Sequence, residues 1–294
     1  MTATVPEDTA SRAGRGEVIL SARAVSMRFG GLVAVNEVDL DVHAGEIVGL
    51  IGPNGAGKTT FFNCLTGQYR PTAGEVLFRG TPLPPKPRAV VQAGVARTFQ
   101  NIRLFGNMTA LENVMVGRYS RTRAGALSAI GRGPRYRREE RETRDRAVQL
   151  LEQVGLTRAA DNLARSLPYG DQRRLEIARA LATEPSVLLL DEPTAGMNPQ
   201  ETRAVEQLIT DIRAAGLAIV VIEHDMRFIF SLCDRVSCLV RGEVLTASTP
   251  EDVRSDPRVI EAYIGTGRED RGRKDADPAA RAKPDAPHET GESS

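Results

Sequence analysis

Hydrophobic and polar positions along the chain predict strands of two kinds. Residues 18–29 and 38–42 alternate between apolar and polar side chains, as antiparallel strands with one buried face do. Three further segments are continuous apolar runs, at residues 46–52, 187–193 and 217–225. Strands that are buried on both faces show this pattern, so we expect a parallel sheet covered by helices. The whole pattern predicts an α/β fold.

Helical and hairpin patterns complete the prediction. Residues 200–215 carry apolar side chains at helical spacing. The stretch from about residue 104 to residue 167 also has helical spacing, which predicts a helical insertion in the α/β core. A short hairpin is predicted over residues 238–245, with Gly242 at its turn.

Arginine dominates the middle of the insertion. Between Arg118 and Arg146 there are ten arginines and four acidic residues. RNA or lipid head groups could bind such a segment, but a solvated helix face is commoner. The four acids lie at spacings that pair with arginines along a helix, which favours the solvated face.

Composition and charge narrow the class of protein. A chain of 294 residues suits about two domains, or one large α/β domain with an insertion. The net charge of +1 provides no global basic field for nucleic acid. Three scattered cysteines are too few for a disulfide framework or a zinc cluster, which indicates a reducing compartment.

The two ends of the chain lack signals for folding or for membrane insertion. No apolar run approaches the roughly 20 residues that span a bilayer, and the first residues lack the apolar centre of a signal peptide. Residues 1–16 are small and polar, and residues 267–294 contain no Val, Ile, Leu or aromatic side chain. We therefore expect a soluble cytoplasmic protein, folded over residues 17–266 between two disordered tails.

A glycine-rich segment carries the strongest chemical signal. The sequence GPNGAGKT at residues 52–59 fits the phosphate-binding pattern G-x-x-x-x-G-K-[ST]. It follows a predicted buried strand and precedes a predicted helix from Thr59 to Leu65, which is the context this loop requires. Its glycines allow successive N–H groups to face one anion. We expect Lys58 to reach the β- and γ-phosphates of a nucleotide and the Thr59 hydroxyl to bind Mg²⁺.

An acidic pair supplies a second feature of nucleotide sites. Asp191 and Glu192 follow the predicted strand at residues 187–190, where a phosphate-binding loop needs another anchor for Mg²⁺. We expect Asp191 to hold the metal through its water shell. Glu192 is then placed to orient or deprotonate the attacking water.

The chain carries five motifs in a fixed order: GPNGAGKTT at 52–60, Gln100, LPYGDQRRLEIARAL at 167–181, LLLDEPTAG at 188–196 and His224. With these motifs in this order, the chain resembles the ATP-binding cassette (ABC) ATPases over roughly residues 17–266. The resemblance implies a P-loop NTPase of the ABC type: a RecA-like core, an antiparallel β-subdomain and an inserted α-helical subdomain. It also implies that two cassettes face head to tail with two ATP molecules between them.

The resemblance implies a role for each matching position. Phe29 matches the aromatic residue that stacks on adenine, and Gln100 matches the glutamine that senses Mg²⁺ and water. His224 matches the histidine that contacts the γ-phosphate and positions Glu192. The implied nucleotide-binding set is Phe29, Gly52, Pro53, Asn54, Gly55, Ala56, Gly57, Lys58, Thr59 and Thr60. The implied catalytic set is Lys58, Gln100, Glu192 and His224, and the implied metal set is Thr59, Gln100 and Asp191.

Two motifs depart from the usual family sequence. The signature, usually Leu-Ser-Gly-Gly-Gln, is LPYGD at 167–171, so the serine hydroxyl that would bond the γ-phosphate is missing. Backbone N–H groups at the start of the following helix can still serve an anion. The loop that is usually Ser-Ala-Leu-Asp is AGMN at 195–198, and Asn198 loses the charge. The residues expected to cap the ATP of a partner cassette are Pro168, Tyr169, Gly170 and Asp171.

Several segments resemble the branched-chain amino acid importer ATPases within this family. They are VARTFQNIRLF at 95–105, YGDQRRLEIAR at 169–179, the AG-x-NP loop at 195–199, IEHDM at 222–226 and VIEAYIG at 259–265. The resemblance implies that MgATP binding and hydrolysis drive uptake of branched-chain amino acids, or of related amides and urea, through a membrane permease.

The resemblance also implies partners and a location. A second ABC ATPase, identical or related, completes the dimer, and the permease docks in a groove beside Gln100, within about residues 97–116. A periplasmic or extracellular solute-binding protein delivers the substrate. The expected location is the cytoplasmic face of a prokaryotic inner membrane, as a peripheral protein without a nucleic-acid partner.

The sequence leaves three other functions open. A lipopolysaccharide-export ATPase is similar at the C-terminus and in the AG-x-x-P loop, but it is expected to keep the Ser-Gly-Gly signature. Nucleic-acid ABC ATPases usually carry two cassettes in one chain or long coiled-coil insertions, whereas this chain has one cassette. A non-hydrolysing regulatory subunit would not need Lys58, Asp191, Glu192 and His224 intact.

Overall fold

The computed structural model describes residues 16–120 and 134–264. The predicted tails at 1–16 and 267–294 lie outside these ranges apart from Gly16, as does the central part of the arginine-rich segment. Within the two ranges, no helix combines the length and apolar character needed to cross a bilayer.

Six strands form the central sheet: β3 (Ile47–Ile51), β6 (Val95–Arg97), β7 (Val187–Asp191), β8 (Ala218–Ile222), β9 (Arg235–Val240) and β10 (Glu243–Ser248). Their order is β10-β9-β3-β8-β7-β6. All neighbours pair in parallel except β10, which forms the predicted hairpin with β9. Every residue of β3, β7 and β8 is buried, as the continuous apolar runs predict.

A second sheet has four antiparallel strands in the order β2-β1-β4-β5. They are β1 (Val18–Phe29), β2 (Leu32–His43), β4 (Ala73–Phe78) and β5 (Thr81–Pro82). The strand β2 begins before the predicted stretch, because its pairing with β1 continues to the contact between Phe29 and Leu32. Leu32 and Val33 are exposed there, so they break the alternation that marks the rest of the strand.

The helices of the described residues are α1 (Lys58–Leu65), α2 (Pro87–Ala93), α3 (Ala110–Arg118), α4 (Pro134–Gln153), α5 (Tyr169–Leu181), α6 (Pro199–Ala214), α7 (Met226–Leu232), α8 (Pro250–Ser255) and α9 (257–264). One face of the central sheet packs against α3 and α5 to α7. The other face packs against α1 and the antiparallel sheet. The parallel sheet is thus covered by helices as expected, and the antiparallel sheet shares the covering of one face.

In the described parts of the segment 104–167, residues 104–120 and 134–167, lie α3, α4 and two 3-10 turns. Leu150 and Leu151 of α4 share an apolar cluster with Val114 of α3. On the exposed side of α4, Arg138 and Glu142 form one of the predicted ion pairs, at 2.9 Å. The segment is thus held to the core by one apolar face while charged side chains meet solvent.

Candidate functional site

The glycine-rich loop connects the end of β3 to the start of α1. Gly52, Gly55 and Gly57 all have positive φ, at 148°, 77° and 98°. A Cβ on Gly52 would lie 2.1 Å from the carbonyl oxygen of Leu239, and one on Gly57 would lie 2.3 Å from that of Ala34. The loop therefore presses against neighbouring backbone in a conformation that only glycine allows, as a phosphate-binding loop requires.

Lys58 begins α1, and its ammonium is buried within the loop. Its Nζ atom donates to the carbonyl oxygens of Gly52 at 2.6 Å and Pro53 at 3.0 Å. Burial lowers the pKa of Lys58, and the nearby charge of Glu192 opposes this shift. A desolvated ammonium favours an anionic ligand beside it, because water cannot stabilise its charge there.

Asp191 ends β7 and is paired with Arg97 of β6. The guanidinium donates to Asp191 Oδ2 at 2.6 Å and to Asn63 Oδ1 at 2.6 Å. The side chains of Asp191 and Arg97 are each 7% exposed. Since Asn63 belongs to α1, Arg97 fixes the carboxylate relative to the helix that follows the glycine-rich loop.

Glu192 has a strained backbone and a bonded side chain. Its φ of 48° lies in the left-handed region that side chains rarely adopt, and its N–H donates to the Ile222 carbonyl at 2.9 Å. Its Oε1 atom lies 2.6 Å from His224 Nε2. Its Oε2 atom accepts a hydrogen bond from Gln100 Nε2 at 2.9 Å. The structure thus brings two predicted catalytic side chains, Gln100 and His224, to the carboxylate of a third, Glu192.

A cleft of about 680 Å³ opens beside these groups. At its edge, Phe29 is 43% exposed and makes an edge-to-face contact with Tyr69, with 5.4 Å between ring centroids. An exposed aromatic ring in this position suits stacking on a planar base. Gly52 and Pro53 are buried and do not line the cleft. The predicted residues that line it are Phe29, Asn54, Gly55, Ala56, Gly57, Lys58, Thr59, Thr60, Gln100, Glu192 and His224.

The four signature residues lie apart from this cleft. Pro168 is the N-cap of α5, and Tyr169, the first residue of the helix, is exposed. Asp171 pairs with Arg174 on the same helix at 2.5 Å. Asn198, in the second altered motif, caps α6 by accepting bonds from the N–H groups of the first turn. None of these residues lines the cleft formed by this chain.

A buried ion pair joins α5 to the segment that carries Gln100. Arg173 is fully buried and donates to the carbonyl oxygens of Phe99 at 2.6 Å and Gln100 at 2.7 Å. Glu176, one turn further along, lies 3.0 Å from the same guanidinium. Burial raises the pKa of Glu176, and the charge of Arg173 opposes this shift. A displacement of α5 would therefore be transmitted to the backbone of Gln100.

The oxygen donors near the cleft fit Mg²⁺. The described part of the chain contains no cluster of three or more His, Cys, Asp or Glu residues that could hold a metal ion. Mg²⁺, however, is usually bound by one or two protein oxygens together with substrate phosphates and waters. Thr59 is exposed and lines the cleft, and Asp191 offers an oriented carboxylate. The amide oxygen of Gln100 is a further hard donor.

The sequence did not identify Glu223 as part of the site. Its buried Oε1 atom accepts bonds from the Thr194 backbone N–H at 2.7 Å and from the Thr194 hydroxyl at 2.5 Å. Its Oε2 atom accepts from the backbone N–H of His224 at 3.0 Å. Glu223 thus joins the turn after Glu192 to the turn that carries His224. The available signal was an acidic residue directly after an apolar run, where a buried charge needs partners.

Arg97 and Tyr263 were missed for a different reason. Their partners lie 94 and 211 residues away, respectively, at Asp191 and Gly52. A sequence pattern reports spacing over a few residues, so contacts at such separations leave no local trace.

Two known families match the chain. Residues 35–195 match the family described as ABC transporter, and residues 249–269 match the family described as branched-chain amino acid ATP-binding cassette transporter.

Three curated proteins are similar in sequence to most of this chain. LivG of Escherichia coli K12, a high-affinity branched-chain amino acid transport ATP-binding protein, is 47% identical over 84% of this chain and 98% of LivG. BraF of Pseudomonas aeruginosa, which carries the same description, is 46% identical with the same coverage. LptB of Acidithiobacillus ferridurans, a lipopolysaccharide export system ATP-binding protein, is 36% identical over 84% of this chain and 97% of LptB.

Two solved structures extend the comparison. The ADP conformation of MJ1267, an ATP-binding cassette of an ABC transporter, superposes with a TM-score of 0.74 at 30% identity, covering 84% of this chain and 99% of MJ1267. A dimeric post-hydrolysis state of the cassette MJ0796, bound to ADP and Pi, superposes with a TM-score of 0.67 at 27% identity, covering 79% of this chain and 99% of MJ0796. The predicted fold class is confirmed by these structures.

Proposed function

Because the chain belongs to the ABC transporter family of ATP-binding proteins, we propose that it is the ATP-hydrolysing subunit of an importer for branched-chain amino acids. The family resemblance and the ATPase activity predicted from the motifs are confirmed by its relatives. One observation carries the proposal: Lys58, Gln100, Glu192 and His224 meet in one cleft beside the glycine-rich loop.

In this proposal the cleft binds MgATP. The ammonium of Lys58 and the N–H groups of the loop bind the phosphates, and Phe29 stacks on the adenine. Thr59, Gln100 and Asp191 hold Mg²⁺, with Arg97 keeping the carboxylate of Asp191 in place. When bound, Mg²⁺ neutralises charge on the phosphate oxygens.

The proposed hydrolysis uses Glu192 as the group that accepts a proton from the attacking water. Gln100 and His224 each contact one carboxylate oxygen, so they hold Glu192 in a single orientation. The backbone of Glu192 is also strained, with a φ of 48° directly after the end of β7. Because the carboxylate of Glu192 is already oriented, no rotation of this side chain is needed before the proton is transferred.

A second cassette completes each site in this proposal. Pro168, Tyr169, Gly170 and Asp171 lie outside their own cleft, which suits contacts to an ATP held by the partner. The dimeric MJ0796 structure supports such an assembly. ATP favours the closed dimer because both halves contact it, and hydrolysis weakens those contacts so that the dimer reopens.

Closure is coupled to a permease through the segment that follows Gln100. The pair of Arg173 and Glu176 links the signature helix α5 to the backbone of Phe99 and Gln100, where that segment begins. We place the permease contact in a groove within residues 97–116, at the cytoplasmic face of the membrane. A solute-binding protein on the opposite side completes the importer.

Import is favoured over lipopolysaccharide export by two observations. The identity to LivG and BraF is 47% and 46%, against 36% to LptB. The C-terminal residues 249–269 also match the branched-chain amino acid family. Export is the second candidate because LptB is similar over the same share of this chain.

The proposed substrate is tested by uptake in cells of the source organism. Deletion of the gene is expected to reduce uptake of radiolabelled leucine, isoleucine and valine at least tenfold at micromolar concentration. Wild-type protein should restore uptake, and Lys58→Ala at equal abundance should not. Loss of amide or urea uptake with normal leucine uptake would contradict the branched-chain assignment but not the ATPase. A defect confined to lipopolysaccharide export would select the second candidate.

Phe29→Ala is expected to weaken ATP binding about tenfold, because stacking of a base on an aromatic ring contributes about 1–3 kcal/mol. Phe29→Tyr, which keeps the ring, should stay within about twofold of wild type. Isothermal titration with MgATP measures both. Phe105→Ala is the matched control, since Phe105 is 48% exposed and does not line the cleft. Equal affinities for the two alanine variants would show that Phe29 does not contact adenine.

A further inference from the structure

The C-terminal helix α9 lies beside the glycine-rich loop. Val253 of α8 and Val259 of α9 are buried in the same apolar cluster as Val236 of β9, which fixes this end of the chain to the central sheet. A second cleft, of about 540 Å³, is lined both by residues 53–56 of the loop and by Arg258, Glu261 and Ala262 of α9. The segment matched to the branched-chain amino acid family therefore adjoins the nucleotide site.

A hydrogen bond connects α9 directly to the loop. The hydroxyl oxygen of Tyr263 accepts from the backbone N–H of Gly52 at 2.7 Å. The carbonyl oxygen of Gly52 accepts in turn from Lys58 Nζ at 2.6 Å. Gly52 is thus held on both sides, by Tyr263 at its N–H and by Lys58 at its carbonyl.

Gly52 has little freedom to compensate for the loss of this bond. It is buried, its φ is 148°, and its Cα approaches the carbonyl of Leu239 so closely that a Cβ would clash. Burial raises the pKa of the Tyr263 phenol, so the hydroxyl stays neutral at physiological pH. Without that oxygen, the buried N–H of Gly52 loses its acceptor, and its peptide is held less firmly in the position that the loop requires.

We propose that Tyr263 is a positioning residue for the nucleotide: its hydroxyl holds the first peptide of the glycine-rich loop and, through Gly52, sets the position of the Lys58 ammonium. The inference rests on the proposed function of the cleft as an ATP site. Through this role of Tyr263, the C-terminal helix α9 directly affects the affinity of the cleft for ATP.

Tyr263→Phe in the full chain tests this inference, because it removes only the hydroxyl and keeps the packing of the ring. We expect the Kd for MgATP to rise about three- to tenfold, which is the size of effect that the net contribution of one hydrogen bond would give. The KM for ATP should rise by a similar factor, while kcat at saturating ATP stays within about twofold. Without nucleotide, hydrogen exchange in the peptide covering residues 46–57 should accelerate at least threefold, and exchange in β7 should be unchanged.

Tyr119→Phe is the matched control, since Tyr119 is 52% exposed and lines neither cleft at the loop. An unchanged Kd for ATP in Tyr263→Phe would overturn the inference. So would uniform acceleration of exchange in β7 and the loop, because that result shows a general loss of stability. If wild-type protein binds no ATP, the proposed function fails, whereas the exchange experiment still reports whether Tyr263 holds the loop.

Discussion

We expect Glu192→Gln to reduce kcat about a thousandfold and to leave the Kd for MgATP within about threefold of wild type. A positioned general base contributes typically 10²- to 10⁴-fold to a rate, and an amide cannot accept the proton of the attacking water. Glutamine has the same shape as glutamate, so its carbonyl oxygen can still accept a bond from His224 or Gln100. Phosphate release under saturating ATP measures kcat, and isothermal titration measures binding.

The same variant separates ATP binding from hydrolysis. Since the variant does not cleave the γ-phosphate of bound ATP, we expect it to accumulate as an ATP-stabilised dimer. This dimer should elute early in gel filtration with MgATP, and the protein should elute late without MgATP. Glu206→Gln is the control, because the Glu206 carboxylate bonds the Ser231 hydroxyl at 2.7 Å and does not line the cleft. Hydrolysis near the wild-type rate in Glu192→Gln would show that another group activates the water.

The parts of the fold that could be predicted are those whose cause is local. The strands β3, β7 and β8 are buried on both faces, so each appears in the sequence as a continuous apolar run. The glycine-rich loop could also be predicted from the sequence, because Gly52 and Gly57 occupy positions where a Cβ would clash. Because only glycine fits at such positions, the shape of the loop appears in the sequence as a pattern of glycines.

The parts that could not be predicted depend on contacts between distant segments. Arg97 occupies a three-residue strand, and nothing near it in sequence indicates a bond to Asp191. The strand β2 extends beyond its alternating stretch because β1 pairs with it, not because its own residues alternate.

Lys58→Ala is expected to raise the Kd for MgATP at least about a hundredfold, which corresponds to about 2.7 kcal/mol. The Lys58 ammonium is buried against the carbonyl oxygens of Gly52 and Pro53, so its charge is poorly screened by water. Its removal takes the positive charge from the phosphate site and leaves two carbonyl acceptors without this donor. Isothermal titration with MgATP measures the change, and ATP hydrolysis should fall in parallel at subsaturating ATP.

Lys86→Ala separates this effect from the general loss of a positive charge. Lys86 is exposed at the N-cap of α2 and does not line the cleft, so its removal should leave the Kd within about twofold of wild type. Urea denaturation of both variants should show that Lys58→Ala stays folded, because deletion of a poorly solvated charge offsets part of the lost hydrogen bonding. A folded Lys58→Ala protein that binds MgATP as tightly as Lys86→Ala would place the phosphates away from this loop and refute the proposed site.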